Sequence, residues 1–182
     1  MLSRNDAKTL MESKIQNVNL RKHIYAVEAG MIRLAEHFNE DAALWGLTGL
    51  LHDLDYDKTV KDPDRHTYIT ETWLVPYHLP AEVIYAIRCH PGHEPCRSRL
   101  DWALFATDPS TGFIVACALM HPQKKLAAVD VEFMIRRFGE KRFAAGATRE
   151  NMAACSHLGL ELADFLTLVK EGMLRINEVL GL

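Results

Sequence analysis

Apolar side chains recur along this chain at helical spacing and show no convincing strand-like alternation. Asp6 to Asn17 reads as a short helix that Asn5 or Asp6 could cap. Ile24, Val27, Met31, Leu34 and Ala35 form one stripe of a strong helix over Leu20 to Phe38. Asn39-Glu40-Asp41 is a turn and cap, and Ala42 to His52, with Trp45, Leu47, Leu50 and Leu51, reads as a buried helix. A polar loop over Tyr56 to Arg65 leads to a helix over His66 to Val75. Pro80 suits the first turn of the next helix, Ala81 to Cys89, because an N–H is not needed there. Pro91-Gly92 ends it. A long helix is expected from Ser98 to about Met120, and a short one from Asp130 to Phe138, stopped by Gly139. The last helix is expected to open at Thr148-Arg149-Glu150-Asn151 and run through Leu158, Leu162, Phe165 and Leu166 towards Leu180. With no repeat, low-complexity tract or linker, the pattern predicts an all-α, single-domain helical bundle over residues 1–182.

The polar residues that interrupt these apolar runs are His23, His52-Asp53, His66, His90 and Asp108. All carry imidazole or carboxylate, and they come from five segments that a helical bundle can converge on one core site. A buried imidazole beside a buried carboxylate is costly unless both find partners. A divalent cation satisfies both at once, since neutral imidazole and carboxylate oxygen are good ligands for first-row metals. Taken singly, each residue also has a plain structural reading. His23 could be half-exposed, His66 could flank a helix, His90 could end one before Pro91, and Asp108 could cap a helix that follows it.

Composition changes the picture in what it excludes. With 182 residues, 48% of them hydrophobic and 25% charged, the chain has ordinary globular composition and enough length for its own core. A net charge of −3 recruits no nucleic-acid polymer. The four cysteines make no disulfide framework for a chain this long. Cys89, His93 and Cys96 could hold a structural zinc, but no second ligand cluster accompanies them. The beginning of the sequence lacks the apolar core of a signal peptide, and the apolar stretch from Gly112 to Met120 is far short of a membrane span. The expectation is a cytoplasmic protein with no membrane partner.

The order His23, His52-Asp53, Asp108 resembles the HD domain superfamily of metal-dependent phosphohydrolases, named for the adjacent His-Asp pair. Leu47-Thr48-Gly49-Leu50-Leu51-His52-Asp53 is similar to that family's buried helix, and Ala103 to Ala116 resembles the segment around its last aspartate. Lys141 to Glu150 resembles the C-terminal part of small prokaryotic HD hydrolases of about this length. The resemblance implies a metal-site core over about 20–120 with a helical extension over 121–182. It implies His23, His52, Asp53 and Asp108 as ligands of one ion. Members with two ions add two histidines, and His66 and His90 sit where those would be, with Asp53 as the bridging, catalytically central carboxylate.

One departure stands out. Four positions after the pair's histidine, where many members place Lys or Glu, this chain has Tyr56, and the assisting role then falls to Lys58 or Asp57. Lys58, Arg65 and Arg88 are candidate phosphate contacts, and His93 is expected at the rim as a substrate contact. One or two divalent ions are implied, from Mn²⁺, Fe²⁺, Co²⁺, Ni²⁺, Mg²⁺ or Zn²⁺. The substrate implied is a nucleotide or another small phosphate ester, and an oligomer is compatible with the sequence. Two other function classes remain open: a mixed-valence di-iron oxygenase of the same fold, and a ligand-sensing module without catalysis. The complete ligand set argues against the last.

Overall fold

The computed structural model describes residues 2–182, and every regular element among them is helical. Helix α1 spans Arg4–Lys14, α2 Val18–Phe38, α3 Ala42–Leu51, α4 Tyr56–Thr59, α5 Tyr68–Leu74 and α6 Ala81–Cys89. Then follow α7 Arg99–Met120, α8 Val131–Phe138, α9 Arg149–Ala153, α10 Leu162–Leu174 and α11 Asn177–Leu180.

Local chemistry sets most of the helix starts. Ser3, rather than Asn5 or Asp6, caps α1, its hydroxyl accepting from the Asp6 N–H. Asn17 and Asp41 do the same for α2 and α3, each side chain accepting from two backbone N–H groups of the first turn. Ser98 and Asp101 form a reciprocal capping box that opens α7. Helix α7 runs straight past Pro109, so Asp108 does not cap a following helix. The proline removes one backbone hydrogen bond inside it, a loss that tertiary packing must offset.

Two expectations are corrected. Residues 56–65 are not a plain loop: Tyr56–Thr59 closes one helical turn, and Pro63–Arg65 a 3₁₀ turn. The last helix is not continuous. Residues 149–158 and α10 meet at an angle of 97°. Gly159, in the left-handed conformation at φ +75°, breaks the run, and Ile176 separates α10 from α11.

Helix α2 is the central pillar. Its Val27, Met31 and Leu34 face a cluster that includes Phe113, Ile114, Phe165 and Leu166. Its Ile24 joins a second cluster with Met11, Leu50, Leu51 and Ile87. Each fully buried side chain of this size contributes about 1.5–3 kcal/mol. Although Arg99–Met120 is long and apolar enough to cross a membrane, 56% of its apolar window is buried, as befits a core helix.

Glycines let the neighbouring helices close on α2. A Cβ at Gly49 would lie 3.0 Å from the backbone of Glu28, and one at Gly46 would lie 2.6 Å from the Ile32 side chain. A Cβ at Gly172 of α10 would sit on the Ala29 carbonyl oxygen. By contrast, a Cβ at Gly112 of α7 meets nothing within 4 Å.

Gly172→Ala and Gly112→Ala should therefore move stability in opposite directions. Helix propensity favours alanine by about 1 kcal/mol at either place. At Gly172 the collision with α2 backbone outweighs that gain, and a net loss of about 1–3 kcal/mol is expected. Gly112→Ala should raise the melting temperature. Thermal denaturation of both variants checks the pair, and a stabilised Gly172→Ala would refute the close approach.

Candidate metal centre

The His52-Asp53 pair stands where α3 ends, and the close approach of α3 to α2 brings it beside His23. His90 caps the C-terminus of α6, Asp108 lies in the middle of α7, and His66 follows the 3₁₀ turn of residues 63–65. Thr67, the next residue, is fully buried in the left-handed conformation at φ +71°. A β-branched residue there is strained, and such strain persists only where the surroundings impose it.

The six side chains predicted from the sequence converge. Asp53 turns one oxygen to each of two groups. Its Oδ2 lies 3.4 Å from His52 Nε2 and 3.8 Å from His23 Nε2. Asp108 Oδ1 closes that group, 3.0 Å from His23 Nε2 and 3.8 Å from His52 Nε2. Asp53 Oδ1 faces the other side, 3.2 Å from His66 Nε2 and 3.4 Å from His90 Nε2. Two overlapping sets of three side chains, His23-His52-Asp108 and His52-Asp53-His90, have the spacing to hold an ion.

The tautomers follow from the far side of each ring. His52 Nδ1–H donates to the Gly49 carbonyl at 2.7 Å, and His90 Nδ1–H to the Ile87 carbonyl at 2.6 Å. His66 Nδ1–H donates to Asp55 Oδ1 at 2.7 Å. His23 Nδ1–H donates to Thr111 Oγ1 at 3.1 Å, while that hydroxyl gives its own proton to the Asp108 carbonyl. Every Nε2 is thereby left pointing inward, where a neutral ring presents its lone pair. His52 Nε2 is buried with no hydrogen-bond partner, and His66 Nε2 faces His90 Nε2 at 3.2 Å. Converging lone pairs with carboxylate oxygens between them are what a divalent cation requires, and the donor set fits one.

Asp55 belongs to the cluster by its contacts, and sequence reasoning did not select it. It is fully buried, and its Oδ2 accepts from the Thr70 N–H while Oδ1 holds the His66 ring. The signal was its place in an Asp53-Leu54-Asp55 alternation, but carboxylates in a turn are ordinarily solvated.

Burial alone would lower the His66 pKa, but its hydrogen bonds to Asp53 and Asp55 outweigh that and hold it at about 9. His52 is likewise buried, yet the charge of Asp53 raises its pKa. Asp53 is pushed up by burial and pulled well below the usual carboxylate range by His52, His66 and His90. His90 is lowered by its burial.

The remaining predicted contacts lie elsewhere. The cavity over the centre, about 460 Å³, is walled by Leu20, Tyr56, Pro91, Gly146 and Asn151 around the ligands. None of Lys58, Arg65 and Arg88 lines it. Lys58 Nζ sits 5.0 Å over the Trp73 ring, exposed Arg65 reaches towards Asp62, and Arg88 pairs with Glu94 at 2.8 Å. Asp57 accepts from the Gln16 N–H and the Asn17 N–H, tying α4 to the α1–α2 turn. His93 Nε2–H donates to the His66 carbonyl at 3.1 Å, fastening the loop after α6. Cys89 and Cys96 are joined in a disulfide, so they are not free to hold zinc with His93. The Pro91-Gly92 turn, with Gly92 at φ +92°, folds the chain back to make that bridge.

Two outcomes are expected. Metal uptake at pH 7 should release protons, because His66 is protonated below about 9 and must give up that proton to become a ligand. Apparent affinity should then rise with pH up to that range. Calorimetry in buffers of different ionisation enthalpy reads this directly, and a buffer-independent heat would refute it. Asp55→Ala, which frees the His66 ring, should weaken metal binding about 10–100-fold; unaltered affinity in a metal titration would count against the orienting role.

The HD domain family model matches residues 20–112, half of the chain, and those bounds enclose all six converging side chains. No curated protein and no solved structure matches. With the histidine-aspartate pair at the centre of a helical site and the family match spanning it, this chain belongs to the HD domain family.

Proposed function

We propose that this protein is a metal-dependent phosphohydrolase acting on a nucleotide or another small phosphate ester, with two divalent ions at its centre. The observation that carries the reading is the division of Asp53, one oxygen towards His23 and His52, the other towards His66 and His90. When bound, divalent ions acidify coordinated water and neutralise a phosphoryl oxygen, and paired ions do both.

The chain's own residues account for the rest. His23, His52, Asp108 and Asp53 Oδ2 would hold one ion; His66, His90 and Asp53 Oδ1 would hold the other. The four Nδ1–H bonds fix the rings before anything binds. No serine, threonine or cysteine lines the cavity, and the carboxylates and imidazoles that do would be committed to the ions, so the nucleophile in this reading is water. Tyr56 occupies the sequence position where many members carry Lys or Glu, and it stands edge-on to His66 with ring centroids 5.6 Å apart. Burial and the nearby charges of Asp53 and Asp108 raise its pKa, so its phenol stays protonated and serves as a neutral donor. It takes the place in the wall that Lys58 and Asp57 do not.

The setting we propose is the cytoplasm; the Cys89–Cys96 bridge runs against it, since disulfides are rare there. One observation favours a second reading. The wall contains no lysine or arginine, which also suits an uncharged substrate oxidised by dioxygen at paired iron. An iron-loaded protein with a visible absorption band and substrate-dependent O₂ uptake would select that reading.

The test is a screen of phosphorylated metabolites with several divalent metals, run beside elemental analysis. His52→Ala or Asp53→Ala should abolish metal binding and lower hydrolysis by more than about 100-fold, since loss of an orienting partner alone costs 10–100-fold. His66→Ala with His90→Ala should reduce bound metal from two ions to one and remove most activity while the helical circular dichroism is retained. One ion in the wild type, unchanged in the double variant, would refute the paired centre.

A further inference from the structure

All six converging side chains lie within residues 20–112, yet the cavity above them is not completed there. Gly146 and Asn151, from the C-terminal extension, supply the rest of the wall. Asn151 sits in the first turn of α9, half-buried, and its side-chain amide makes no hydrogen bond among the described residues. It is the one side-chain amide in the wall, beside two apolar residues, a glycine and the Tyr56 phenol. An amide offers a donor and an acceptor in fixed relation, without charge.

What holds it there is Arg149, two residues earlier. Its guanidinium donates to five backbone carbonyls: Phe138 at 3.1 Å, Glu140 at 3.5 Å, Phe143 at 2.6 Å, Ala144 at 3.4 Å and Ala147 at 2.8 Å. It lies 4.7 Å over the Phe113 ring and 5.3 Å over Phe138, which ties the loop to the core helix α7. Within that loop Ala144 is held at φ +44°, a conformation that persists only where its surroundings impose it. One side chain thus folds residues 138–147 around itself and sets both Gly146 and the start of α9 at the cavity mouth. Lysine could not do this, having no planar fork of donors.

Resting on the phosphohydrolase reading, we propose that Asn151 reads the organic part of the substrate and that Arg149 is its positioning residue. The chemistry it fits is a phosphomonoester whose remainder is uncharged and rich in hydrogen-bonding groups, such as a nucleoside or a polyol. Further phosphates would meet no cation in the wall and would face Asp53 and Asp108.

The test measures affinities of the Mn²⁺-loaded full chain by calorimetry. Its probes are inorganic phosphate and the hydrolysis-resistant phosphonate analogues of a nucleoside 5′-monophosphate and of glycerol phosphate. The wild type should bind at least one phosphonate about tenfold more tightly than inorganic phosphate, the scale of one or two net hydrogen bonds. Asn151→Ala should erase that preference while metal content and melting temperature stay as in the wild type. Arg149→Lys should shrink the preference in part, although Arg149 touches no probe. A preference that survives in Asn151→Ala overturns the assignment, as does a wild type that prefers neither phosphonate. Inorganic phosphate that does not bind the wild type at all overturns the phosphohydrolase reading, and the assignment with it.

Discussion

A buried carboxylate, Asp53, and a half-buried one, Asp108, set among four imidazoles are the constraint on which this molecule depends. Asp53 reaches both halves of the cluster, and its burial is tolerable only if positive charge sits beside it. The raised pKa values of His52 and His66 and the depressed value of Asp53 express that demand in the absence of a metal. The rest of the site prevents the rings from satisfying it by turning away. Gly49 and Ile87 lend carbonyls, Asp55 a carboxylate and Thr111 a hydroxyl, and each holds one Nδ1–H. These partners lie on α3, α6, α7 and the turn after α3, so the orientation of the rings depends on how those helices pack. That packing depends in turn on Gly46, Gly49 and Gly172, whose missing side chains let α3 and α10 lie against α2.

Much of this was legible in the sequence because a buried polar residue in an apolar helix leaves a distinct mark. His23, His52, Asp53, His90 and Asp108 interrupt or end apolar helices, buried or half-buried, His66 follows a turn instead, and the structure brings all six together. What was not legible depended on direction rather than on residue type. Lys58 and Arg88 are close in sequence to ligands, but Lys58 turns to Trp73 and Arg88 to Glu94. Asp55 lay hidden in a turn, where a carboxylate ordinarily meets water, and only the fold shows its two oxygens enclosed by His66 and Thr70. The break in the last helix was obscured by apolar residues that keep helical spacing across Gly159. That spacing is satisfied equally by two helices meeting at 97°, since both pack on the same core.

The bend has a consequence for the cavity. A continuous helix from residue 148 onward would have carried its first turn away along a single axis. The break lets α10 lie along α2 while residues 149–158 pack on α7, and Asn151 at the head of that turn reaches the mouth. The candidate ligands and the Gly146–Asn151 side of the wall therefore come from different parts of the chain, and they answer to different forces. The candidate ligands are fixed by charge and by their Nδ1–H bonds, whereas the Gly146–Asn151 side of the wall is fixed by one guanidinium gathering backbone carbonyls.

Charge balance links the two parts. Asp55 is engaged by His66 and the Thr70 N–H, so Asp53 and Asp108 are the carboxylates that face the cavity. With Asp55 against a His66 ring that is neutral once it holds an ion, the three carboxylates would offset three of the four positive charges of two divalent ions, and the dianion of a phosphomonoester would more than match the remaining one. A wall lined with lysine or arginine would leave that assembly positive and favour polyphosphates. A wall of Leu20, Tyr56, Pro91, Gly146 and Asn151 leaves it near neutral. Discrimination among monoesters must then come from neutral hydrogen bonds and shape, because long-range charge has already been balanced at the centre.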